Sequence, residues 1–254
     1  MCFDLDSRPP VVPIAGGAID SRQLVLTASD GNRFRAFEAR PATPSGAAML
    51  ILPDVRGLHP YYEELALRFA EHGIGALAID YFGRTAGVDA RPATFEYRPH
   101  VDQTTWTGLQ ADIRAGAEAL RSLGAEVAGR SFSVGFCFGG RMSYLAATLG
   151  LGLAGVIAFY GPPLGTHYTG SPAPAEVADR IRGRVLAIYG GADGAIASAD
   201  IETFETALTR AGVDHRVITY PDAPHSFFDR KASEYAEASA AAWEETLRFV
   251  REGV

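Results

Sequence analysis

The chain has 254 residues, 47% hydrophobic and 21% charged, enough to bury a large core as one α/β domain. Its formal charge of −7, with a single lysine and no Lys/Arg run, argues against nucleic acid as the main partner. No apolar stretch reaches transmembrane length, Met1–Asp6 has no basic start leading into an apolar run, and the two distant cysteines, Cys2 and Cys137, fit a reducing compartment better than a disulfide framework. These features point to a soluble, cytoplasmic protein with no signal peptide and no membrane contact.

Residues 1–22 are rich in Pro and Gly and read as an irregular N-terminal arm, and 23–254 read as a single domain. Leu24–Thr27 and Phe34–Ala39 alternate around Asp30-Gly31-Asn32, a hairpin signal. Ala48–Leu52 is a continuous apolar run, the mark of a strand buried on both faces of a parallel sheet. A helical period over Tyr62–His72 ends at Gly73, and Ala76–Asp80 is the next strand. Residues 82–103 then break the rhythm with Gly83, Gly87, Pro92 and Pro99, interspersed with Arg84, Arg91 and Arg98; an excursion of that length is usually functional or mobile.

Thr107–Leu123 is an amphipathic helix ending at Gly124, followed by a strand Arg130–Val134 and a helix Met142–Leu149. Gly155–Tyr160 is a strand, and 162–175 a second loop rich in Pro and Gly. The strand Val185–Tyr189, the helix Asp200–Arg210, the strand Arg216–Tyr220 and the helix Ala232–Val250 complete the chain. A leading hairpin followed by alternating strands and helices predicts an α/β fold, its mostly parallel central sheet covered by helices on both faces. Ligands of such sheets bind beyond the C-terminal strand ends.

Three reactive residues fall there. Cys137, in Gly135-Phe136-Cys137-Phe138-Gly139, has the Gly-x-nucleophile-x-Gly spacing of a sharp strand-to-helix turn. Small flanking residues permit the turn, and a helix N-terminus favours a thiolate. Asp193 follows the Val185–Tyr189 strand and His225 the last one. His225 can take the thiol proton and later activate water, while Asp193 can hold the imidazole tautomer. The spacing of the six histidines excludes a His-x-x-x-His metal site, and there is no Cys-x-x-Cys or Gly-rich phosphate loop, so neither metal nor cofactor is expected.

Gly135-Phe136-Cys137-Phe138-Gly139-Gly140, Gly190-Gly191-Ala192-Asp193 and His225-Ser226-Phe227 resemble the dienelactone hydrolase family, and the likeness runs from about residue 24 onward. The resemblance implies an α/β-hydrolase fold with a Cys137-His225-Asp193 triad, no cofactor, and hydrolysis of a small ester or lactone through a thiol ester. It implies an oxyanion hole from the backbone N–H groups of Val55 and Phe138, and a thiol-modulating acid at Asp54, where the family carries a glutamate. The family binds a substrate carboxylate with two arginines, one of them four residues beyond the histidine. Asp229 occupies that position here, so Arg230 and Arg98 are the candidates, with Arg84 and Arg91 as alternatives to Arg98. Tyr160 matches a family tyrosine and is either a substrate contact or a strand-end aromatic packed beneath the loop. The expected partner is a small ester or lactone, carboxylated or not, bound by a monomer or small homo-oligomer. The rival readings are a non-catalytic small-ligand binder that keeps the pocket and, with no resolving cysteine nearby, a thiol redox sensor.

Overall fold

The computed structural model describes residues 7–14, 20–92 and 94–252. It divides into two compact units, one of residues 12–131 and 167–171 and the other of the remaining described chain. Part of the expected N-terminal arm, residues 1–6 and 15–19, lies outside the described residues.

In the first unit, β1 (Asp20–Thr27) and β2 (Arg33–Arg40) form the antiparallel hairpin, closed by Gly31 N–H to Ala28 C=O at 2.9 Å. The hairpin starts at Asp20, earlier than the apolar alternation alone marks, because the outer strand β1 is mostly exposed and tolerates polar residues. β3 (Ala47–Leu52) is buried at every position, as its unbroken apolar run requires. α1 (Pro60–Glu71) follows, with Pro60 at the helix start where its missing N–H costs nothing. β4 (Gly75–Ile79) pairs parallel with β3 and antiparallel with β2, giving the order β1-β2-β4-β3.

The described residues of the 82–103 excursion contain two single-turn helices, α2 (Gly83–Ala86) and α3 (Arg98–Val101). Arg91 forks onto both oxygens of the fully buried Asp80, and its guanidinium lies 4.7 Å from the centroid of Phe95. Arg84 bridges Asp112 and Asp30. α4 (Trp106–Arg121) begins where the Thr105 side chain accepts Gly108 N–H at 3.2 Å, and it buries Leu109, Ile113, Ala117 and Leu120 along one stripe. A further single turn, α5 (Ala125–Ala128), precedes the next strand.

The second unit is a parallel array. β5 (Arg130–Phe136) leads into α6 (Phe138–Ala146). β6 (Gly155–Phe159) and β7 (Arg184–Gly190) follow, with a 3₁₀ segment Pro174–Arg180 between them. α7 (Ser198–Arg210), the outer strand β8 (His215–Tyr220) and α8 (Ala236–Glu252) close the chain. The strand order is β5-β6-β7-β8, every pair parallel. No position of β8 is fully buried, as expected of a strand with a neighbour on one side only. All four strands therefore end at one edge, which is where Cys137, Asp193 and His225 leave the sheet.

Candidate active site

Cys137 sits between the last residue of β5 and the first of α6 with φ 54° and ψ −113°, a conformation that costs a side-chain-bearing residue about 1–3 kcal/mol. Its surroundings enforce that turn. A Cβ on Gly135 would lie 1.9 Å from the Gly139 carbonyl oxygen, so only glycine fits. A Cβ on Gly140 would lie 2.8 Å from Gly161 Cα, which brings α6 against the end of β6 backbone to backbone. Cys137 N–H donates to Phe159 C=O at 3.0 Å, fixing the turn to the neighbouring strand. The thiol is half-buried and forms no disulfide. Phe138 is the first residue of α6, where backbone N–H groups have no acceptor within the helix and the helix dipole favours negative charge.

Buried hydrogen bonds lock α6 in place. Ser133 and Ser143 hydroxyls meet at 2.8 Å, and those of Tyr144 and Tyr189 at 2.9 Å. Tyr189 also donates to Gly161 C=O at 3.3 Å. Burial pushes the Tyr144 and Tyr189 phenols up, so both stay neutral partners throughout the working pH range.

His225, in the loop after β8, places Nδ1 2.7 Å from an Asp193 side-chain oxygen. Asp193 is anchored by its other oxygen, which accepts Ala195 N–H at 2.8 Å. With Nδ1 committed to the carboxylate, Nε2 is the imidazole nitrogen left for proton transfer. Tyr160 is fully buried; its ring centroid lies 4.7 Å from that of His225, and its hydroxyl donates to Asp229 at 2.6 Å. Arg230, five residues beyond His225, is half-buried and forms no ion pair with a described residue.

Asp54, Val55 and Arg98 belong to the first unit. Asp54 is fully buried; one carboxylate oxygen accepts Arg56 N–H at 2.9 Å and its own N–H donates to the Tyr62 hydroxyl at 2.9 Å. That side-chain turn fixes the peptide of Val55, which is half-buried. Arg98 is exposed at the start of α3. Arg84 and Arg91 are engaged with carboxylates of the fold itself, which leaves Arg98 as the candidate within the excursion. Among the described residues no group of three or more His, Cys, Asp or Glu side chains is arranged to hold a metal ion.

Two arginines escaped sequence reasoning. Arg141, in α6, is 1% exposed and donates to the carbonyls of Pro162, Leu164, Gly165 and Pro172 at 2.9–3.2 Å. A lone charge in the otherwise small and apolar opening of that helix was the available signal. Arg56 lies over the Tyr97 ring at 5.6 Å, and its Nε is buried without a hydrogen-bond partner.

An antiparallel hairpin with a parallel strand pair in the first unit, and in the second a parallel array with a strained turn, an acid and a histidine at its strand ends, are the parts of an α/β-hydrolase. A solved structure from Klebsiella pneumoniae, provisionally named dienelactone hydrolase, shares the fold with a TM-score of 0.78, covering 92% of this chain and 99% of that one at 24% identity. A dienelactone hydrolase-like promiscuous phosphotriesterase from metagenomic libraries superposes with a TM-score of 0.73 at 25% identity, covering 93% and 99% of the two chains. A Synechocystis protein provisionally named carboxymethylenebutenolidase is 30% identical over 249 residues, 91% of this chain and 97% of its own length. A Salmonella typhimurium protein of the same name is 29% identical, covering 95% and 90%. The sequence profile of the dienelactone hydrolase family matches residues 34–253, and the chain belongs to that family.

Proposed function

We propose that the chain is a cysteine-dependent hydrolase of small-molecule esters or lactones. The observation that carries this reading is the 2.7 Å His225–Asp193 pair at the strand edge onto which the strained Cys137 turn also opens. His225 Nε2 takes the thiol proton, and the sulfur attacks the ester carbonyl. The resulting oxyanion is received by the Phe138 N–H, with that of Val55 as the second donor implied by the family resemblance; one such donor is worth about 3 kcal/mol of transition-state stabilisation. Collapse expels the alkoxide, which His225 protonates, and leaves a thiol ester. His225 then draws a proton from water, whose oxygen attacks the thiol ester and releases the acid and the free thiol.

Asp54 is our candidate for tuning the thiol. Arg230, with Arg98 second, is the candidate for an acidic substituent on the substrate. No helix among the described residues is long and apolar enough to cross a membrane, and a nucleophilic thiol is best preserved in a reducing cytoplasm.

The test is a panel of aryl esters and enol-lactones, with and without a free carboxylate, run on wild type, Cys137→Ala and Cys137→Ser. Turnover by wild type, its loss in Cys137→Ala, and an acyl adduct on Cys137 detected by mass spectrometry are expected. Full activity in Cys137→Ala would overturn the mechanism. A wild type silent on the whole panel yet thermally stabilised by a panel compound would make the protein a binder instead.

A further inference from the structure

Asp229 is only 3% exposed, yet both of its carboxylate oxygens accept hydrogen bonds, one from the Tyr160 hydroxyl at 2.6 Å and the other from Arg230 N–H. Two donors on a buried carboxyl favour its ionised form. Tyr160 is held as firmly. Its φ is 39°, its N–H donates to Ile188 C=O at 2.7 Å, and Phe136, Phe159 and Phe227 surround its ring. The remaining face of this aromatic cluster meets His225. Packing alone gives no reason for a charge here, since apolar side chains of the same volume would fill the space without burying an ion.

We infer that Tyr160 and Asp229 form a positioning pair that acts through His225, an inference resting on the catalytic role proposed above for that histidine. A phenol donating to a carboxylate gains electron density, and an electron-rich ring attracts a cation placed against it. The pair therefore favours the imidazolium that forms when His225 takes a proton. The groups around the imidazole are Asp193 after β7, Tyr160 after β6, Asp229 and Arg230 in its own loop and, in the proposed mechanism, Cys137 after β5. Asp193 fixes the tautomer from Nδ1, while the Tyr160–Asp229 pair adds a second, indirect negative charge. Arg230, in the same loop, carries the opposite charge.

The experiment is a proton NMR titration of His225 in the Cys137→Ala background, so that the thiol does not titrate with it. The resonance is identified by its absence in His225→Gln. Asp229→Asn keeps the shape and removes the charge; Tyr160→Phe keeps the ring and removes the donor. Each is expected to lower the His225 titration midpoint by about half a pH unit or more, and the double variant to lower it no further than the larger single effect. With Cys137 restored, each single variant is expected to reduce kcat several-fold with KM unchanged and to move the acid limb of kcat/KM to lower pH. A midpoint unmoved in Asp229→Asn, or additive effects in the double variant, would overturn the pair. If Asp229→Asn fails to fold, Tyr160→Phe decides alone, and an unmoved midpoint there is equally fatal. Because the titration reads His225 without turnover, failure of the hydrolase reading and failure of this one remain distinguishable.

Discussion

The carbonyl of Cys137 accepts the first hydrogen bond of α6 from Arg141 N–H at 3.1 Å, and the Arg141 side chain then gathers four carbonyls of the 162–172 segment. One residue thus joins the Cys137 turn to the loop that follows β6. Burial lowers the guanidinium pKa to about 10, against the attraction of Glu176, so it stays charged at neutral pH. Arg141→Met strands those carbonyls and is expected to lower stability by about 2–4 kcal/mol in urea unfolding. Arg141→Lys keeps the charge but loses the planar fork, and should recover only part of that loss. Limited proteolysis within 162–166 should accelerate in both variants, and an unchanged cleavage rate would show that the clamp does not order the loop.

Asp193 owes its expected role to a single contact. With Nδ1 of His225 bound to it at 2.7 Å, Nε2 is the nitrogen that would serve as the base in the proposed mechanism. Asp193→Asn keeps the shape but offers an amide that can stabilise the wrong tautomer. We expect kcat on an activated aryl ester to fall by about 10³–10⁴-fold with little change in the thermal midpoint. A loss below about 10-fold would show that the imidazole is oriented by other groups.

Much of this arrangement is legible in the sequence, for identifiable reasons. Strands buried on both faces leave unbroken apolar runs, so Ala47–Leu52 and Val185–Ile188 declare themselves. The candidate site residues are legible as types in an order, because Cys137, Asp193 and His225 each follow an expected strand, although only the strand before Asp193 is an unbroken apolar run. The start of α6 is not. Glycine is a poor helix former, so Gly139-Gly140 pushes the expected start to Met142, whereas the helix begins at Phe138 because Gly140 must pass close to Gly161. Nor is Tyr160–Asp229, whose hydrogen bond joins residues 69 positions apart, or the backbone strain at Cys137, Tyr160 and Ser226. These three are the non-glycine residues with positive φ among those described, and all flank the candidate site. Local propensity would not place any of them there; packing does.

Arg91 carries the order of the 82–103 excursion. Its fork reaches both oxygens of Asp80, which is fully buried and also accepts Leu58 N–H at 3.0 Å and Phe82 N–H at 3.2 Å. Arg91→Gln removes the only counter-charge paired with that carboxylate among the described residues, and breaking a buried pair from one side costs about 3–5 kcal/mol. Hydrogen exchange should rise across 82–103 well before global unfolding. Asp80→Asn with Arg91→Gln, which removes both charges, should be milder than Arg91→Gln alone. Protection that is unchanged in Arg91→Gln would place the order of this segment in its aromatic contacts instead, chiefly Phe95 stacked on His100 at 4.9 Å.

His59 supplies a pH dependence that is separate from catalysis. It precedes α1, its ring meets Tyr62 edge-on at 5.0 Å, and its Nε2 is buried although the residue as a whole keeps some exposure. Burial first, and the nearby Arg56 charge second, lower its pKa from the ordinary 6.5 to about 3. Between those values the unfolded chain holds a proton on His59 that the folded chain does not. Acidification through that window therefore favours unfolding, and the contribution of neutral His59 to stability is lost as pH falls from 6.5 towards 3. The slope from this one group is at most about 1.4 kcal/mol per pH unit. His59→Asn abolishes the titration and places a better capping residue before α1. Chemical unfolding at several pH values from 7 down to about 4 should give a shallower loss of stability in the variant than in wild type. Parallel curves would mean that His59 takes up its proton in the folded protein, and that the burial around it does not hold the ring neutral.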